Sequence, residues 1–436
     1  MSLNRRAFLA AGAALTTSVA SSSSSAMASN ASATSAASST SDASAGPAGE
    51  EGHGGVRTGA EILAAQGWRL FAGRKVGVLS NPTGVLANGD HIVDSMVAAG
   101  IRPAAAFGPE HGFRGSAQAG GSEGDYTDPR TGVPVYDAYG VDAAKLAAMI
   151  TKAGVDTVVF DIADVGARFY TYIWSLYTAM VAAAKAGASF VVLDRPNPLG
   201  GKAYGPMLNP AFSSGIGRKP IVQQHGMTAG ELARFYVGEF LPAEGVKLPK
   251  LDIVQVRGWR RDQHFARTGL DWIPPSPNMP TPETAHVYPG TGMFEGTVFS
   301  EGRGTTRPFE IIGAPGIDWR WREKLAELRL PGVKFRETYF VPTFGKFVNV
   351  TCGGVQLTVT DPRAFDAIRT AVAMLVTGKQ QPGFAWRPDN YIDKLSGSDR
   401  LRTMVDAGAG VDEITGSWQD ELGRFDRQRQ QYLIYR

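Results

Sequence analysis

From residue 56 to about residue 257, short apolar runs alternate with longer stretches whose apolar positions recur at helical spacing. The runs KVGVLS (75–80), PAAAF (103–107), DTVVFDI (156–162) and FVVLD (190–194) are strand-length and bounded by Gly, Pro, Asn or charged residues, which predicts buried strands. IVDSMVAAG (92–100), VDAAKLAAMITKAG (141–154) and TYIWSLYTAMVAAAKAG (171–187) have helical periodicity and each ends on glycine, the residue that most readily takes the left-handed C-cap. Such alternation predicts βαβ units around a mostly parallel sheet. The segment AGELARFYVGEF follows His225-Gly-Met-Thr228, and Thr228 with Glu231 forms a capping-box pattern, so Thr228 is a helix cap rather than a catalytic hydroxyl. LDIVQV (251–256) predicts a further strand.

Beyond a basic run at 257–267, read as a solvated face, the pattern changes. Five prolines between Pro274 and Pro282 bar regular structure and mark either a domain crossing or an ordered wall of an active site. GVQLTVTD (354–361) alternates like a strand, residues 362–379 form an amphipathic helix with proline at its start, and residues 417–436 read as a charged closing helix. The fold class expected is α/β: a Rossmann-like, mostly parallel sheet domain over 56–270, followed by a smaller α/β C-terminal domain over 271–436.

The N-terminus has a different character. Asn4-Arg5-Arg6-Ala7-Phe8-Leu9, the weakly apolar AAGAAL and Ala26-Met27-Ala28 predict a twin-arginine signal peptide over 1–28. Its apolar region is too short and alanine-rich for a membrane span. Residues 29–55 are a Ser/Ala-rich stretch unable to bury enough surface to offset its ordering entropy, and so a flexible tether is expected. The protein is therefore expected outside the cytoplasmic membrane, extracellular or in the cell envelope.

Composition removes several functions. A net charge of +3 over 436 residues carries no nucleic-acid footprint. The single cysteine, Cys352, excludes an intramolecular disulfide and a cysteine-rich metal site, and its setting suits a small buried apolar residue. There is no G-x-G-x-x-G, no Walker A loop, no H-E-x-x-H and no G-x-S-x-G. His111, His225 and His286 lie in candidate loops, but no histidine has ligand spacing, so neither a metal nor another cofactor is expected.

What remains is carboxylates, arginines and amides in glycine-bounded loops. The four strands run into NPTG, GPEHGFRG, ADVGARFY and RPNPLGG. In a parallel sheet these carboxyl ends share one edge, which brings Asn81, Glu110, His111, Asp164, Arg168, Arg195 and Asn197 toward one crevice. Glu110 is the sharpest candidate, since a carboxyl after a Gly-Pro turn, beside His111 and near Arg114, can be tuned for proton transfer; the alternative is a structural Glu bonding loop amides. Asp164 lies past its strand and is better placed for a ligand than Asp161, which equally suits a loop brace. A second polar cluster spans 288–310 and holds Glu295, Glu301, Arg303, Thr305, Thr306 and Arg307, either as a ligand-facing wall or as a hairpin with surface ion pairs. Tyr170, Tyr172, Trp174 and Trp272 could stack on a sugar, though core positions suit such side chains equally. Asn278, in the proline-rich segment, is a further candidate contact.

The strings SNPTGV, AAFGPEHGFRG, VVFDIADVGARFYTYIWSLY, VVLDRPNPLGG, HGMTAGELA, PPSPNMPTPETAHVYPGTGMFEGT and SEGRGTTRPFE resemble the exo-β-N-acetylmuramidase NamZ family, formerly a domain of unknown function. The resemblance runs from about residue 56 to the end. It implies a Rossmann-like N-terminal domain, a smaller C-terminal domain completing a cleft, and removal of N-acetylmuramic acid from non-reducing ends of peptidoglycan glycan fragments. It also implies that the acidic residue of the PEHG motif, here Glu110, is catalytic. On this reading Glu110 is the general acid/base, and Asp164 or Glu301 is the second carboxyl unless the substrate's acetamido group takes that part. Arg168 or Arg303 would grip the lactyl carboxylate, whose absence in N-acetylglucosamine would leave a guanidinium unpaired. Two other readings stay open: a non-catalytic peptidoglycan-binding protein and a metal-assisted cell-wall amidase or esterase.

Overall fold

The computed structural model describes residues 55–436; the predicted signal peptide and tether, apart from residue 55, lie outside the described residues. Nine strands belong to the first part: β1 (Val76–Ser80), β2 (Ala105–Gly108), β3 (Tyr126–Thr127), β4 (Pro134–Asp137), β5 (Thr157–Asp161), β6 (Ser189–Leu193), β7 (Tyr204–Met207), β8 (Val222–Gln224) and β9 (Leu251–Val254). Seven form one sheet in the order β3-β4-β2-β1-β5-β6-β9, parallel throughout except for β3. The chain winds outward from β1 in both directions, so the carboxyl ends of β1, β2, β5 and β6 border the switch in strand order, where α/β proteins bind ligands.

The central strands β1, β2, β5 and β6 are mostly apolar because both faces are covered. Val76, Val78, Ala106, Val159 and Val191 pack on one face against Ile92 and Met96. Leu79, Phe107, Val158, Phe160 and Phe190 face the other side, against Leu146, Leu176 and Met180. The predicted helices are observed at Ile92–Ala98, Ala143–Lys152 and Tyr172–Ala186. Gly187 closes the last of these in the left-handed conformation, at φ 70°. Thr228 caps helix Ala229–Phe235 in a reciprocal capping box with Glu231. The π-helical turn Tyr236–Phe240 follows it.

The second half builds an antiparallel sheet, β10 (Ile311–Ala314), β11 (Val333–Phe340) and β12 (Cys352–Val359), in the order β10-β12-β11. Cys352 is buried and free, as expected. The core is continuous between the halves: Ile312, Leu357 and Ile368 belong to the same apolar cluster as Phe160 and Leu176. Three boundaries differ from expectation. The helix predicted from residue 362 begins at Ala367, because the Asp366 carboxylate accepts the Arg369 N–H (2.9 Å) and sets the start there. The closing helix stops at Arg429, after which the chain turns back so that the Tyr435 hydroxyl donates to Asp194 (2.5 Å) beside the sheet. Residues 288–310 are not a hairpin: they complete helix Pro282–Thr291 and continue as the 3-10 turn Gly292–Gly296.

No helix among the described residues is long and apolar enough to cross a membrane. Helix Pro282–Thr291 crosses helix Ala367–Gly378 at Gly290, where a Cβ would run into the Ala367 carbonyl. Gly290→Ala is therefore expected to destabilise the protein by about 1–3 kcal/mol through overpacking, read as a lower midpoint in denaturant unfolding.

Candidate active site

Glu110 stands immediately beyond β2. The turn that presents it is unusual: His111 adopts φ 72°, uncommon for a residue with a side chain, and is held there by hydrogen bonds from its N–H to the Gly121 carbonyl (3.0 Å) and between its ring Nδ1 and the Ala117 carbonyl (3.1 Å). His111 is buried and braces this loop. The loop closes around Glu123, whose carboxylate accepts from the amides of Phe113 (2.9 Å), Arg114 (3.2 Å) and Ser116 (2.9 Å) and from the Tyr126 hydroxyl (2.9 Å). Burial alone would raise the Glu123 pKa; the donors, led by the Ser116 and Arg114 amides, outweigh it and hold the carboxyl below its ordinary range. Arg114 does not face Glu110: it pairs with Asp94 (2.8 Å) and Asp128 (2.8 Å).

The Glu110 carboxylate is half-buried and lightly bonded. One oxygen accepts the Gly120 N–H (2.9 Å), the other the Thr171 hydroxyl (3.3 Å). Thr171 is the N-cap of helix Tyr172–Ala186, yet its hydroxyl makes no cap bond within that helix, which leaves it free for Glu110. Lone pairs remain on both oxygens for proton transfer. Glu110 borders a cavity of about 320 Å³ with Tyr139, Thr171, Trp174, Ile216 and Arg218 on its walls.

Asp164 follows β5. Its Oδ2 accepts the Gly166 N–H (2.8 Å) and lies 3.0 Å from His225 Nε2. His225 Nδ1 accepts the Met227 N–H (3.2 Å), so the ring proton sits on Nε2 and is donated to Asp164. The other oxygen, Oδ1, is buried without a partner. Tyr170, Tyr172 and Tyr288 form an aromatic cluster beside it, with Tyr170 ring centroids 5.3 and 5.7 Å from its two neighbours. The Tyr170 hydroxyl also lacks a partner.

The polar segment of the second half supplies a second group of charges. Arg303 bonds Glu295 (2.6 Å) and approaches Glu301 (3.4 Å), its guanidinium lying over the Phe309 ring. Lys346, from the connection between β11 and β12, pairs with Glu301 (2.8 Å) and donates to the carbonyls of Phe294 and Phe299. Glu295 keeps 20% of its side chain exposed beside Arg303. Burial pushes its carboxyl above the ordinary range, with Arg303 opposing. Burial, then Glu295 and more weakly Glu110, raise the Tyr288 hydroxyl well above its ordinary value, so both carboxylates act on one phenol.

Several expected ligand contacts have structural roles instead. Arg168 is fully buried, and its guanidinium donates to the carbonyls of Pro206 (3.0 Å), Ile221 (3.0 Å) and Leu395 (2.8 Å), so it is not placed to grip a lactyl carboxylate. Arg195 makes a bidentate pair with Asp161 (2.5 and 2.9 Å) and bonds the Val85 carbonyl, tying the loops after β1, β5 and β6 together. Asn197 is buried, bridging the Met227 carbonyl and the Leu199 N–H. Asn81 accepts from Thr83 through Oδ1, while its buried Nδ2 has no partner. Asn278 is buried in the proline-rich segment. Glu301, with 6% of its side chain exposed, is held by two cations and positions Arg303. Glu123 and Lys346 were not anticipated; the first sits in a Gly/Ser loop rich in amide donors, while nothing local marks the second. No group of three or more His, Cys, Asp or Glu with metal-site geometry occurs among the described residues.

Known proteins resemble this chain over most of its length. The profile "Exo-beta-N-acetylmuramidase NamZ, N-terminal" matches residues 76–283, and its C-terminal counterpart matches residues 286–435. The chain is 44% identical over 386 residues to the peptidoglycan beta-N-acetylmuramidase NamZ of Bacillus subtilis (strain 168), covering 87% of this chain and 91% of that protein. Two crystal structures of DUF1343 family proteins from Bacteroides fragilis superpose with TM-scores of 0.79 and 0.71, each 31% identical and each covering 87% of this chain and 99% of the other. A Rossmann-like sheet with carboxyls at its ligand edge here defines a glycoside hydrolase. The chain belongs to the exo-β-N-acetylmuramidase NamZ family.

The bonds to Glu123 define one test of the Glu110 loop. Because its folded carboxyl titrates below the ordinary value, its stabilisation is complete above that value and fades as pH falls through the folded one. Glu123→Gln is expected to be less stable than the parent by about 1 kcal/mol near neutral pH, with the gap closing in urea unfolding as pH falls through the lowered pKa of the folded carboxyl.

Proposed function

We propose that this protein hydrolyses the glycosidic bond of terminal N-acetylmuramic acid in peptidoglycan fragments, acting from the non-reducing end, with Glu110 as general acid and base. The observation that carries the assignment is the Glu110 carboxylate itself. It is half-buried at a cavity mouth, held by one amide and one hydroxyl, with no cation paired to it. Among the site carboxyls, Glu301 is paired with the Lys346 and Arg303 cations, and Asp161 with Arg195. Glu110 donates its proton to the departing glycosidic oxygen, then as carboxylate takes one from the incoming water.

Arg303 is the proposed partner of the lactyl carboxylate. It is partly exposed beside Glu295, whereas Arg168 is fully buried with both Nη atoms turned to backbone carbonyls. The N-terminal sequence supports export by the twin-arginine route, which puts the enzyme beside its polymer. The division at about residue 270, with the second domain completing the cleft, is part of the same reading; the family profiles meet between residues 283 and 286.

Glu110→Gln should lower kcat for muramic acid release from a defined disaccharide by about 10³-fold with an unchanged melting temperature. Near-parental turnover would remove Glu110 from the mechanism. The Arg303–Glu295 pair sets a pH dependence. An anion bound at Arg303 is repelled by ionised Glu295, whose carboxyl titrates above its ordinary value. KM should therefore rise as pH rises through that carboxyl's pKa, and Glu295→Gln should flatten the profile.

A further inference from the structure

A second cavity, of about 160 Å³, lies over the carboxyl ends of β1, β5 and β6. Its walls are mainly apolar, from Val85, Leu86, Pro198, Leu270, Trp272 and Ile273, and Asp164 is among the few ionisable groups on them. The Asp164 side chain is more than nine-tenths buried, and Oδ1 has no donor although Oδ2 has two. A buried carboxylate oxygen without a partner costs free energy and calls for a donor from outside the protein. His225 supplies no further one, since its Nε2–H already donates to Oδ2 and its Nδ1 accepts the Met227 N–H. The cavity adjoins Glu110 through Tyr172, whose hydroxyl lies 2.8 Å from the Pro275 carbonyl on the cavity wall and 3.3 Å from the Glu110 carbonyl.

We infer that this cavity receives the 2-acetamido group of the muramic acid, its methyl among the apolar walls and its N–H donated to Asp164 Oδ1, so that the amide oxygen is aimed at C1. The inference rests on the muramidase reading above. A hydroxyl donor would satisfy Oδ1 but would waste the apolar walls, and the lactyl carboxylate offers no proton and would be repelled. An acetamido group matches both halves of the site.

The role of that group in the reaction follows. The amide oxygen forms a bond to C1 as the glycosidic bond breaks, and the bonding pair leaves on the glycosidic oxygen, which takes the Glu110 proton. Asp164 accepts the increasingly acidic N–H and stabilises the positive charge that builds on the amide. Water then attacks C1, yields its proton to the Glu110 carboxylate, and returns the electron pair to the amide oxygen. Two displacements at C1 retain the β configuration. No second protein carboxyl needs to reach C1.

The test uses the exported chain and aryl β-glycosides of muramic acid carrying acetyl, fluoroacetyl, difluoroacetyl or trifluoroacetyl groups on nitrogen. Fluorine weakens the amide oxygen as a nucleophile while barely changing its size. The expected result is a kcat/KM that falls by about two orders of magnitude across the series, with β-muramic acid as first product by NMR. Asp164→Asn should lower kcat on the acetyl substrate by about 10²-fold and change KM less. A flat series, or an α product, would overturn the inference and leave the muramidase reading intact. Absence of sugar release from the natural disaccharide by the parent protein would instead overturn that reading.

Discussion

A guanidinium without a carboxylate holds the ligand edge together. Arg168 is buried completely, and its three hydrogen bonds go to backbone carbonyls from the β7–β8 ribbon region and from helix Tyr391–Ser396. Burial pushes its pKa down to about 9, which measures how costly a cation is at that depth. Only carbonyl dipoles arranged around it offset that cost, so segments more than 200 residues apart in sequence must converge on one side chain. The loop carrying Arg168 also carries Asp164, Tyr170 and Thr171. Their positions depend on this anchor.

Around it, charge divides into two kinds. Paired groups hold backbone: Asp161 with Arg195, Arg114 with Asp94 and Asp128, Glu231 with Arg261. Each is bidentate or multiply bonded, the geometry in which buried or half-buried ion pairs specify structure. The other kind keeps unused lone pairs: Glu110 with two contacts, Asp164 with one orphaned oxygen, and Glu295 partly exposed beside Arg303. A carboxyl satisfied on every side is a poor acid or acceptor for a substrate. The unsatisfied ones are where chemistry remains available, and backbone strain at His111 accompanies them.

Much of the fold was legible along the chain. Strands β1, β2, β5, β6 and β9 lie within a residue or two of the runs that predicted them, because a strand covered on both faces has to be apolar without interruption. Helix ends at Gly187 and Thr228 were legible for an equally local reason, the conformational freedom of glycine and the capping hydroxyl. Strand β11 was not anticipated: Lys334, Arg336 and Glu337 dilute its pattern, and only pairing with β12 orders it. At 288–310 the hairpin alternative is excluded for the same reason, since Gly-rich polar sequence suits a hairpin until tertiary packing draws its start into a helix end.

For the site, local chemistry and topology determined which loops meet: parallel strands send their following loops to one edge, and that much is written in the order of strands and turns. Which polar side chains in those loops stay free was decided only by the tertiary structure. Arg168, Arg195 and Asn197 are indistinguishable from ligand contacts in sequence, because their hydrogen-bond partners are carbonyls and carboxylates contributed by distant segments. Burial and partner count are properties of the packed whole, and they separate an arginine that holds the loops from an acid that keeps a lone pair to spare.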